Sequence, residues 1–346
     1  MRQINIEERK REILYSIVES YVENAFPVGS RAIAQRFRWT ISPATIRNVM
    51  VDLEELGLIT HPHTSAGRVP TDKGYRYYVD SLLSPKHLTK DEENMILKIF
   101  NRKFEDFDSL MQKASNAISM ITNVVGVVLT PRLKRSTFKH IELIQINSSR
   151  ILAVLMTGAG YVKNSIFTME EEISKSEILR INEFLNQELE GMFLGEIRNH
   201  LTSRLLQERD SFYNFLNKAM TILSSADLLK MEDRMYFEGT TSIMSNPEFS
   251  DIKKTRLFLR CFEDKKDLFD LFNEDIEKDG IKVHIGKENH CKYMQDYSVI
   301  TSNYKVRGRI VGVLGAIGPT RMEYGKVITC VEYLSEVLGK VLEKLG

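Results

Sequence analysis

Apolar residues Ile13, Leu14, Ile17, Val18, Tyr21 and Val22 recur at helical spacing and predict a helix over 6–23 with a single buried stripe. Pro27 and Gly29 end it. Ser30 then suits the N-cap of a short helix, Arg31 to Phe37, with Ile33, Ala34 and Phe37 inward. After a brief connection, Ser42 caps a further helix with Pro43 in its first turn, where a missing N–H costs nothing. Ile46, Val49, Met50, Leu53 and Leu56 form its inner face, and Gly57 stops it. Next come a strand-like Leu58–Thr60, a polar loop over 61–68 and a strand-like 69–71, which together predict a hairpin. A tyrosine-rich helix starts at Thr71 or Asp72, and Tyr75, Tyr77 and Tyr78 read as packing residues. The order helix, short helix, turn, helix, hairpin is that of a winged helix-turn-helix.

Pro85 and the polar run after it mark a boundary. Helical periodicity returns over 92–121. Strand patterns follow at Val124–Leu129, His140–Ile146, Ile151–Met156 and Tyr161–Phe167, then helices over 174–230 and a mixed stretch over 234–275. Three more strand patterns, Lys282–Ile285, Tyr297–Ser302 and Arg309–Ala316, precede a last helix with the stripe Val327, Val331, Leu334, Leu338, Val341 and Leu345. Strands at both ends with helices between predict an α+β domain carrying an insertion. The expected division is 1–85 for the winged helix, 86–135 with 276–346 for the α+β domain, and 136–275 for the region containing the insertion.

The 346 residues carry a net charge of only +1, a balance that does not by itself suggest a polyanion partner. Its distribution does. No Asp or Glu occurs from Asn24 to Val51, while Arg31, Arg36, Arg38 and Arg47 fall there; a second acid-free run, Leu56 to Thr71, contains Arg68 and two histidines. Residues near the start of the second helix of a helix-turn-helix reach base edges. The candidates are Ser42, Ala44, Thr45, Arg47 and Asn48. Arginine can bond guanine and asparagine adenine in bidentate fashion, and Ala44 or Thr45 can touch a thymine methyl. Ser65 and Arg68 in the wing suit phosphate or minor-groove contacts, while Arg31, Arg36 and Arg38 read as phosphate contacts or solvated charges.

Other features carry less. Gly312, Gly315 and Gly318 match neither nucleotide-loop spacing and read as a packed strand. Gly158 and Gly160 read as a hairpin turn. His284, His290 and Cys291 lack a second Cys/His pair, so neither a metal nor another cofactor is expected. The three cysteines are widely spaced, and the charged N-terminus lacks an apolar signal core. A cytoplasmic, membrane-free, non-enzymatic protein is the expectation.

The run SPATIRNVMVDLEELGLI (42–59), followed by HTSAGRVPTDKGYRYYVD (63–80), resembles the HrcA family of heat-inducible transcription repressors. The resemblance continues in GTTSIMSNPEF (239–249), IGKEN (285–289) and IGPTRMEY (317–324); RFRWTI, with Trp39, is less typical. It implies a repressor of chaperone operons that binds double-stranded DNA at the inverted-repeat CIRCE operator as a homodimer, with its active state supported by the GroE chaperonin. It implies further that the α+β domain is GAF-like and the insertion a dimerising domain. A ligand-sensing regulator using the GAF-like domain is the alternative. The span from Leu82 to Ile96 is expected to leave the winged helices room to reorient.

Overall fold

A computed structural model describes residues 7–36, 41–62, 67–83, 87–100, 107–130, 136–158, 160–169, 171–207, 211–225 and 234–345. The first stripe becomes α1 (Glu8–Asn24), with Ile13, Leu14, Ile17 and Val18 fully buried. It stops where Ala25 turns left-handed and donates its N–H to the Tyr21 carbonyl. In α2 (Ser30–Arg36), Ser30 is not the cap but the first helical residue. The Gly29 carbonyl accepts the first intrahelical N–H, from Ile33 at 3.2 Å.

α3 (Pro43–Glu55) is capped as its sequence predicts, and Gly57 follows it at φ 71°. β1 (Ile59–Thr60) and β2 (Val69–Pro70) form the wing, and Val28 pairs with Arg68 as a short third member. α4 (Asp72–Tyr77) runs on through a π-helical turn, Tyr78–Leu82. Tyr75 and Tyr78 are buried and Tyr77 packs against the core.

Helices α5 (Lys90–Phe100) and α6 (Phe107–Thr122) lead into β3 (Val125–Leu129). The chain then leaves for a separate core of β4 (Phe138–Gln145), β5 (Arg150–Thr157), β6 (Val162–Thr168), α7 (Lys175–Leu189), α8 (Leu194–Gln207) and α9 (Ser211–Ser225). Alternation along β4 and β5 sends Ile141, Leu143, Ile151, Ala153 and Leu155 toward the helices. On the β4 edge, Asn186 and Asn182 of α7 accept the Ile141 and Leu143 N–H groups at 2.8 and 3.0 Å, closing that edge to further pairing.

The chain returns as β7 (Met235–Glu238), which pairs with β3. At the neck, Thr130 and Arg234 exchange hydrogen bonds at 2.8 Å. Helices α10 (Ile252–Asp264) and α11 (Lys266–Ile276) follow, then β8 (Lys282–Ile285), β9 (Tyr297–Val306), β10 (Arg309–Pro319) and α12 (Tyr324–Leu345). The span 136–275 thus divides into a separately packed part, 136–225, and a part, 235–275, that belongs to the larger sheet.

That sheet is antiparallel throughout, in the order β7-β3-β10-β9-β8. Ser298 and Ser302 bond Tyr324 and Ser335 of α12 on one face, while Thr301 bonds Asp275 of α11 on the other. Helices on both faces account for the continuous burial of Tyr297–Tyr304 in β9 and Val311–Pro319 in β10. The three glycines of β10 make room for neighbours: a Cβ on Gly312 would lie 2.1 Å from the Tyr304 hydroxyl. In α12, Leu342 rather than Val341 is the fully buried residue, because a 3.6-residue period drifts off a strict seven-residue repeat.

The winged helix does not ride on a free tether. Arg76 of α4 forks onto Glu288, Nε to Oε1 at 2.9 Å and Nη2 to Oε2, and also reaches the Val283 carbonyl. Arg321 forks onto Glu248 and donates to the Val22 carbonyl at the end of α1, 2.6 Å away. Asp72 accepts the Lys287 N–H at 3.1 Å, against Gly286, where a Cβ would lie 2.4 Å from its carboxylate. The Tyr75 and Tyr324 rings lie 5.6 Å apart. The room to reorient expected of the 82–96 span is therefore taken up by a specific interface. That interface is built from the three C-terminal motifs: Glu248 lies in the first, Gly286 to Glu288 in the second, Arg321 and Tyr324 in the third.

Candidate nucleic-acid interface

The working surface begins at the N-terminus of α3. Ser42 stays extended (φ −66°, ψ 150°), its Oγ accepts the Thr45 N–H at 3.1 Å, and it lies 3.0 Å from Thr45 Oγ1. Ser42 and Thr45 thus spend much of their hydrogen-bonding capacity on the cap. Ile46, Val49, Met50 and Leu53 bury the inner face. Ala44, Arg47, Asn48 and Val51, at i, i+3, i+4 and i+7, stand exposed together on the outer one. No acid lies in the first turn, so the unsatisfied N–H groups and positive helix end are unopposed. Val51, 44% exposed, was not among the residues singled out from sequence. Its spacing from Ala44 and Asn48 was the available signal, and its methyls suit a thymine methyl.

Arg31, second residue of α2, is exposed. Ser65 lies outside the described residues, as do Thr64, Arg38 and Trp39, and so does the side chain of Arg36. Arg68 is held rather than free. Its Nη2 meets Glu54 Oε2 at 2.8 Å, its backbone pairs with Val28, and its Nε is buried without a hydrogen bond. His61 Nδ1 takes the other Glu54 oxygen.

Desolvation pushes the Glu54 carboxyl upward, but the His61 hydrogen bond and the Arg68 charge outweigh it, leaving Glu54 below the usual range. Asp52 is likewise paired, with Lys10 at 2.9 Å. Two of the acids at the far end of α3 are therefore neutralised at short range, and the near end keeps its positive field. Elsewhere, His284 sits on Asp275 at 2.8 Å and the Cys291 thiol donates to Asp267 at 3.2 Å. Among the described residues, no three His, Cys, Asp or Glu side chains are disposed to hold a metal. Nor is any described helix long and apolar enough to cross a membrane.

A capped helix with an acid-free N-terminal half, presenting Arg47 and Asn48 beside a short basic hairpin, defines a winged helix-turn-helix DNA-binding protein, here joined to an α+β region. Residues 5–81 match the family model described as "Winged helix-turn-helix transcription repressor, HrcA DNA-binding", and residues 108–328 match "HrcA protein C terminal domain". The chain belongs to the HrcA family. It is 40% identical to the heat-inducible transcription repressor HrcA of Geobacter sulfurreducens over 98% of this chain and 99% of that one. To the HrcA repressor of Pelotomaculum thermopropionicum it is 37% identical over 99% and 98%. A 2.2 Å crystal structure of a hypothetical protein shares the fold, with a TM-score of 0.63 at 24% identity over 99% of this chain and 100% of its own.

Proposed function

We propose that this protein is a cytoplasmic, non-enzymatic repressor that binds the inverted-repeat CIRCE operator ahead of chaperone operons as a homodimer, with its active state supported by the GroE chaperonin. The observation that carries the DNA-reading part is the exposed face Ala44, Arg47, Asn48 and Val51 at an acid-free helix N-terminus. Asn48 and Arg47 read base edges there; Arg31, Ser65 and Arg68 hold the backbone; Ser42 and Thr45 fix the helix end. The relatives' description as heat-inducible repressors supports the choice of genes.

Dimerisation is supported by the face of β4–β5–β6 turned away from the helices. Cross-strand rows there read Ile144, Leu152, Ile166; Glu142, Val154, Asn164; and His140, Met156, Val162. Ile144, Val162 and Ile166 are about half exposed. The apolar patch of Leu152, Val154 and Met156 with Ile144, Val162 and Ile166, rimmed by His140, Glu142 and Asn164, marks an interaction surface, and a two-fold pairing of it supplies the second reading head that an inverted repeat needs.

The larger domain is read as GAF-like on its five-stranded antiparallel sheet packed by helices on both faces. Its interior is filled by Tyr304, Tyr324, Phe258 and Phe272. The nearby cleft of about 320 Å³ is lined mostly by polar and charged residues, among them Asp267, Asp270 and Glu274. Neither feature favours the ligand-sensing alternative, which calls for an apolar pocket.

The test is footprinting of the purified protein on its own upstream DNA, with and without chaperonin, beside sedimentation of wild type and Val154→Asp. A dimer protecting both half-sites, and a monomeric variant with weakened protection, are expected. A tightly binding monomer, or no protected repeat, would overturn the proposal.

A further inference from the structure

Helix α10 reads IKKTRLFLRCFED. Phe258, Cys261 and Phe262 bury one side of it, with the Phe258 ring 4.6 Å from Tyr297 and 5.0 Å from Phe249. The other side is cationic: Lys253, Lys254, Arg256 and Arg260 are exposed, and no acid occurs from Ile252 to Phe262. Lys254 pairs with Asp296 at 3.2 Å. Among the described residues, no acid pairs with Lys253, Arg256 or Arg260, which share one face at i, i+3 and i+7.

The helix gains nothing from this arrangement. A macrodipole favours acids at the N-terminus and cations at the C-terminus. Here Lys253, Lys254 and Arg256 crowd the first turns, while Glu263 and Asp264 fall in the last. The N-cap Asp251, accepting from the Lys253 N–H at 2.8 Å, and the C-cap Lys265 have the favourable sign at their ends, but the exposed cations of the first turns do not. The positive helix end and the side chains add to one another, so the face suits an external polyanion.

Glu248, three residues before the cap, is gripped by Arg321, and the same guanidinium holds the Val22 carbonyl of α1. The basic face is thus in fixed register with the winged helix.

We infer that the outer face of α10 is a second, sequence-independent DNA contact. Lys253, Arg256 and Arg260 bind the phosphate backbone of the duplex flanking the half-site read by α3. At 1.5 Å per residue the three span about 10 Å, the axial rise of roughly three base pairs. The inference rests on the operator reading above.

The test measures affinity of the full chain for two duplexes, a minimal operator and one extended by about 15 base pairs on each side, across a salt series. Wild type and Lys253→Ala/Arg256→Ala/Arg260→Ala are compared. Wild type is expected to bind the long duplex about tenfold more tightly than the short one, and the triple variant to bind both alike. Its slope of log affinity against log salt on the long duplex falls by about 5 per dimer, from six lost phosphate contacts. Equal affinity of the two proteins for the short duplex shows that the variant is folded.

A variant that keeps the flank gain and the slope overturns this surface alone. If it keeps them yet loses binding to phosphatidylglycerol vesicles, the face, with Ile252 and Leu257 also exposed on it, belongs to a membrane and the inference falls. Binding of neither duplex by wild type sinks the operator reading, and this surface with it.

Discussion

Replacing Arg76 with Met tests whether the winged helix is fastened to the sheet domain. The side chain keeps its apolar stem but loses the fork onto Glu288, the Val283 carbonyl and the i,i+4 pair with Asp80. Removing one partner of a fully buried ion pair costs about 3–5 kcal/mol; Arg76 and Glu288 are 19% and 30% exposed, so water recovers part and about 2–3 kcal/mol is expected. For a domain the size of the winged helix this corresponds to a fall of about 10–20 °C in its Tm. Calorimetry of the full chain should show the winged-helix transition moving down and separating from the rest, and hydrogen exchange should quicken at α4. Glu288→Gln keeps an oxygen for the Ile285 N–H, which now donates to Glu288, so it completes a double-mutant cycle without dismantling the loop. A coupling of about 1 kcal/mol or more is expected. A coupling near zero, with the winged-helix melt unmoved, would mean that the two domains are merely adjacent.

Asn48→Ala should weaken specific binding by about 1–3 kcal/mol and relax preference at one position per half-site, with non-specific binding nearly unchanged; a parallel fall in both affinities would make Asn48 a backbone or folding residue. Arg68→Ala should flatten the salt dependence by about 2 per dimer, and Glu54→Gln, which frees Arg68 from its partner, should strengthen binding at low salt; titrations unaffected by either change would remove the wing pair from the contact. Glu177 accepts from the Ser174 N–H, Lys218 and the Ser174 hydroxyl, which hold its carboxyl down at about 2. Because the folded value is the lower one, its stabilisation is complete at neutral pH and is lost as pH falls from about 5 toward 2. Glu177→Gln should therefore flatten the acid limb of unfolding in the 136–225 core, and an identical acid profile would contradict the assignment.

Elements governed by short-range rules were legible in the chain. The stripes of α1 and α3, the Ser42 cap with Pro43, the Gly57 stop and the alternation of β4 and β5 each depend on residues within about a turn or a strand of one another. So does the outward face of α3 proposed to read bases, because caps, period and absence of acids in the first turn together say which end of α3 is positive and which side is outward. What the chain did not announce depends on partners far apart in sequence. β7 is four residues of MYFE, too short for a pattern, and is a strand because β3, more than a hundred residues earlier, offers it an open edge. Arg68 looked like a free phosphate ligand until the hairpin brought it to Glu54. Whether the apolar residues of β5 at alternate positions face a core or water was decided by helices that cover one face of that sheet and leave the other bare. The docking of the winged helix was the least visible of all: Arg76 with Glu288 and Arg321 with Glu248 are ordinary surface residues in any local window. Only the folded chain, by withdrawing them from water in pairs, gives those charges a reason to meet.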